Sequence, residues 1–148
     1  MTTTDNNSVE PAAPVFYDRM YDDAVKLTVE VRDYFADRAE TDRIFLTQSQ
    51  KLAMMRESMR VTTRLAQSVA WIMAQRAVYE GEISASKARE STYRLENHRV
   101  CLAEDNGRLA GLPAEFKVLW WRSQRLYQRI ARLENLAQRR SGFGQVVH

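Results

Sequence analysis

Residues 58–78, SMRVTTRLAQSVAWIMAQRAV, run for about six helical turns without a glycine or proline. Their apolar side chains fall on more than one side of any helix drawn through them. Arg60 and Arg64 near the start and Gln75–Arg76 near the end argue against a bilayer-spanning role. An outer helix of a small bundle needs a single apolar stripe roughly 100° wide. This one carries more.

Extending the register resolves the excess into two seams. Leu52, Met55, Met59, Thr62, Ala66, Val69 and Met73 step 3-4-3-4-3-4, and Met54, Ser58, Val61, Leu65, Ser68 and Ile72 step 4-3-4-3-4. Both are heptad spacings, and at about 100° per residue their centres lie about 110° apart. Arg60, Arg64, Gln67 and Trp71 fill the remaining side, read as facing outward. The pattern predicts that one seam faces the chain's own helices and the other a second copy. Met54, Ser58, Val61, Leu65, Ser68 and Ile72 are the candidate dimer interface. The competing reading is one wide stripe buried entirely within a single chain.

The rest of the chain supports an all-α fold. It has 148 residues, five glycines and three prolines, with 45% hydrophobic and 28% charged residues, an ordinary globular composition biased towards helix. Residues 1–14 are polar and read as a disordered leader lacking the basic and apolar regions of a signal peptide. From Val15, Phe16, Met20, Ala24, Leu27, Val31 and Tyr34 recur at helical steps, predicting a first helix to about Asp37. Ile44, Phe45 and Leu46 suit a loop tucked beneath the bundle. Thr47 followed by Gln50 is a capping-box pattern that starts the second helix, with Gly81 as its stop. Ser84 can cap a short third helix to about Asn97, and 98–111 reads as an irregular connection. Pro113 opens a last helix to about Arg140, and 141–148 reads as a flexible tail. The expected architecture is one domain over 15–140. It is an antiparallel helical bundle of three long helices and one short one, dimerising through the central helix.

Charge is uneven. Residues 1–50 hold ten acidic and five basic side chains, residues 51–148 nine and seventeen. The last helix concentrates part of this excess. Phe116, Leu119, Ser123, Leu126, Ile130, Leu133 and Ala137 form its seam, flanked by a ladder of Arg122, Arg125, Arg129 and Arg132. Trp121 lies about 100° from Trp120, so both cannot enter one seam. Trp121 with Val118 is a candidate exposed docking patch. The ladder fits a solvated face paired with acids of the first helix, a dock for an acidic protein partner, or a nucleic-acid surface. No helix-turn-helix, zinc-finger or aromatic RNA-binding signature accompanies it, and a charge stripe alone gives only non-specific affinity.

Signatures of catalysis are missing. There are two histidines and one cysteine, and His98 with Cys101 supplies only half of a zinc site. No phosphate-cradling glycine motif and no G-x-S-x-G occur. Neither a cofactor nor a metal is expected. A lone cysteine cannot form an internal disulfide. With no apolar span long enough for a membrane, the reading is a cytoplasmic protein that is not an enzyme.

The segments ESMRVTTRLAQSVAWIMAQRAVYEGEIS (57–84) and, more loosely, LPAEFKVLWWRSQRLYQRIARLE (112–134) resemble the RcdA family, bacterial regulators of CtrA degradation. The resemblance rests on Ser58–Arg60, Thr62–Leu65, Gln67, Trp71, Gln75–Val78 and Glu80–Glu82. It implies a dimerising helical bundle and a non-enzymatic adaptor role. Such an adaptor brings substrate proteins to the ClpXP protease together with a response-regulator-like partner in cell-cycle control. By that likeness Arg60, Arg64, Gln67 and Trp71 become candidate partner contacts, beside Trp121, Arg122, Arg125 and Arg129 of the last helix.

Overall fold

The computed structural model describes residues 12–145, which are helical and irregular with no strand among them. The elements are α1 (Ala12–Asp37), α2 (Ala39–Arg43), α3 (Gln48–Tyr79), α4 (Ala85–Ala88), a 3₁₀ turn (Ser91–Tyr93), α5 (His98–Cys101) and α6 (Ala114–Gln145). The long helices α1, α3 and α6 form the bundle, with α3 packed against both others. At about 1.5 Å per residue α3 is roughly 48 Å long.

Local chemistry sets these boundaries. The Thr47 hydroxyl accepts from Gln50 N at 3.2 Å, and Gln50 Oε1 accepts from Thr47 N at 2.9 Å, closing the capping box that starts α3. Past its other end, Gly81 takes φ 76°, the left-handed turn that glycine makes without a Cβ penalty. Gly111 has φ 75°, and a Cβ there would collide with the Gln50 side chain. The turn before α6 is thereby pressed onto the first turn of α3.

Three expectations need revising. The short helix expected from Ser84 to Asn97 is only a single capped turn, Ala85–Ala88, and a 3₁₀ turn, because its apolar residues are too sparse to bury a longer face. The last helix continues to Gln145, past the expected stop near Arg140. The first helix begins at Ala12, inside the expected leader, and only residues 1–11 of the leader and 146–148 of the tail lie outside the described residues. Ile44 and Phe45 do not tuck under the bundle. They are 69% and 84% exposed at the turn between α2 and α3.

The core forms two adjoining layers. Near the Thr47 end, Leu27, Val31 and Tyr34 of α1 meet Met54, Val61 and Leu65 of α3 and Phe116 and Trp120 of α6. Towards the other end, Met20 and Ala24 meet Trp71, Ile72, Tyr127 and Ile130.

Candidate docking surfaces

The seam proposed for dimerisation is instead the chain's own core. Met54, Ser68 and Ile72 are fully buried, Val61 and Leu65 nearly so. Ser58 is half-buried, its hydroxyl turned back onto Met54 O at 2.6 Å. A second copy cannot reach these side chains without opening the bundle.

The side holding Arg60, Arg64, Gln67 and Trp71 also faces inward, so these residues do not form an outward contact surface. Arg60, Arg64 and Gln67 clamp the irregular connection between α4 and α6. Arg64 is fully buried; its Nε donates to Cys101 O at 2.8 Å and its Nη1 to Trp120 O at 3.1 Å. Its guanidinium lies 4.1 Å from the centre of the Trp120 ring. Arg60 donates to Val100 O, and Gln67 Oε1 accepts from Glu96 N at 3.0 Å. Trp71 packs against Tyr17 at 6.1 Å. From α6, Gln124 donates to Ala103 O, Tyr127 to Glu96 O, and Glu134 accepts from Leu95 N. Buried backbone groups need partners, and a segment without regular pairing takes them from these side chains.

Buried electrostatics follow from this arrangement. Glu57 is 3% exposed; Oε2 accepts from Trp120 Nε1 at 2.8 Å and pairs with Arg60 Nε at 2.9 Å. Burial first, then the neighbouring Arg60 cation, pulls the Arg64 guanidinium down to about 10, still protonated at neutral pH. Burial also raises the Cys101 thiol above its ordinary range. Among the described residues no group of three His, Cys, Asp or Glu could hold a metal ion. Among the described residues no helix is long and apolar enough to cross a membrane.

Of the surfaces singled out from the sequence, two are open among the described residues. The first is the seam of α3 opposite the core: Leu52, Met55, Met59 and Met73 are 52%, 50%, 67% and 54% exposed. Between α1 and α3 runs an apolar trough of about 520 Å³, walled by Thr28, Val31 and Phe35 on one side and Thr62, Ala66 and Ala70 on the other. It adjoins a second hollow that includes Met55 and Met59. The second surface lies on α6, where Val118 and Trp121 are exposed beside Arg122, Arg125 and Arg129. Arg122 pairs with Glu30 of α1, and Arg129 sits over the Phe16 ring at 5.3 Å.

The protein family described as "Protein of unknown function (DUF1465)" matches residues 10–145. No curated protein matches the chain. Among solved structures, the crystal structure of RcdA from Caulobacter crescentus CB15 is similar at TM-score 0.65 and 31% identity, covering 82% of this chain and 89% of that one. A match of that extent at both levels means that the chain belongs to the RcdA family.

Proposed function

We propose that this chain is a non-enzymatic, cytoplasmic adaptor of ClpXP-dependent proteolysis, working as a homodimer that holds substrate proteins near the protease. Family membership supports the adaptor role. The observation that carries the dimer is the unburied seam of α3. Its side chains vary in size along the helix: Leu52, Met55 and Met59 towards one end, then Thr62 and Ala66 with exposed Ala70 beside Val69, then Met73. Laid antiparallel on a second copy with Thr62 beside Thr63, the seam sets Met59 opposite Ala66 and Met55 opposite Ala70. Leu52 then meets Met73. Met55 and Met59 thus meet small residues and enter the partner's trough between α1 and α3, while Leu52 and Met73 close the two ends of the contact. A two-fold contact of this kind is self-complementary.

An adaptor acts by raising the local concentration of cargo at the protease, which requires docking surfaces and no reaction centre. Affinity purification with the intact chain as bait, followed by mass spectrometry, tests this. Recovery of the unfoldase, or of its complex with a response-regulator-like protein, is the expected result. Recovery of neither at several growth stages overturns the adaptor role. Sedimentation tests the dimer separately.

A further inference from the structure

We infer that the cleft between α1 and α6 is a dock for a short acidic segment of a partner protein. The inference rests on the docking role proposed above and names the chemistry of one partner. The cleft holds about 250 Å³ and is lined by Asp23, Leu27, Arg122, Arg125, Leu126 and Arg129. The three arginines lie on one helix face, spanning about 10 Å of axis. The outer two are already positioned, Arg122 by Glu30 and Arg129 by the Phe16 ring. Arg125, exposed between them, has no ion pair among the described residues. A prearranged guanidinium row loses less side-chain freedom on meeting carboxylates than a free one would.

The apolar surroundings select protein over nucleic acid. Leu27 and Leu126 form part of the lining, and Val118 (56% exposed) and Trp121 (42%) continue the same face of α6 one turn away. Such groups fit an aliphatic or aromatic side chain flanked by carboxylates and give little to a phosphate backbone. With Arg122 already paired to Glu30 and Asp23 in the lining, the free positive charge suits one or two carboxylates on an apolar segment and is too little for the phosphate run of a duplex.

The test is fluorescence anisotropy on the full chain with a fluorescein-labelled Glu/Leu peptide. A Lys/Leu peptide and a random-sequence DNA duplex of similar length serve as comparisons at about 100 mM salt, where the Debye length is near 10 Å. Selective binding of the acidic peptide is expected, weakened at least tenfold in both R125E and R125Q, with helical circular dichroism unchanged. No binding, unchanged affinity in both variants, or duplex binding as tight as peptide binding overturns the inference. A chain that dimerises and recovers the protease but ignores the peptide refutes this inference alone. One that binds the peptide without recovering the protease refutes the adaptor role alone.

Discussion

Replacing Met59 with glutamate separates the surface assigned to self-association from the surface that folds the chain. Met59 is 67% exposed in the single chain, so most of its apolar area is still available to a partner. Fully burying a methionine is worth about 1.5–3 kcal/mol; two thirds of that is roughly 1–2 kcal/mol. Two-fold symmetry counts the residue twice, giving about 2–4 kcal/mol, or roughly 30- to 700-fold in the dissociation constant. A carboxylate forced against the partner's Ala66 adds a desolvation cost in the same direction. Sedimentation equilibrium over micromolar concentrations is the assay. Wild-type chain should run at twice 17.2 kDa and Met59→Glu at the single mass, with unchanged helical circular dichroism. If wild type runs as a monomer, or the variant dimerises as tightly as wild type, the seam assignment is refuted.

Three further outcomes follow from the buried network. Arg64→Ala removes the donor to Cys101 O and Trp120 O and leaves a cavity; it should cost about 3 kcal/mol in chemical denaturation, and Cys101 should become reactive to a thiol reagent before global unfolding. Trp120→Phe, which deprives buried Glu57 of its indole donor, should cost about 1–3 kcal/mol, whereas Trp121→Ala should change stability by less than about 1 kcal/mol; thermal melts distinguish the two. The third outcome is alkaline. Burial, reinforced by the Asp42 carboxylate that accepts its hydroxyl, raises Tyr34 well above the ordinary phenol value, and burial beside Cys101 does the same for Tyr127. Above about pH 10 the unfolded tyrosines ionise while the folded ones keep their protons, so stability present below that pH is lost as pH rises. Melting temperature should fall from there upward, and less steeply in Tyr127→Phe.

The long helices were legible because their signals are local. The spacing of Met20, Ala24, Leu27 and Val31, the Thr47–Gln50 pair and Gly81 each act within a few residues. Ile44 and Phe45 were misplaced because an apolar triplet without period gives no direction, and here only Leu46 of the three is partly covered by the core. The two seams of α3 were also visible. Which one faces inward is not, because Met54 and Met55 carry the same hydropathy and only the placement of α1 and α6 against α3 decides between them.

The inward position of Arg60 and Arg64 shows what periodicity leaves out. Charged residues at helical spacing are usually solvated, so spacing alone predicts that the side they occupy faces outward. The connection 98–111 is largely turns, with one short helix, His98–Cys101, to satisfy its backbone. Lying across α3 and α6, it must draw donors and acceptors from those helices. Arginine and glutamine reach carbonyls and amides that a leucine could not, and Trp120 covers the Arg64 cation in place of water. Counting the unmet backbone groups of an irregular segment, and then searching neighbouring helices for long polar side chains in register, would have pointed inward. The same reasoning explains why α3 exposes its methionines. With one flank given to the core and another to the clamp, none of the described elements is left to cover the third, and this is the flank proposed to meet a second copy.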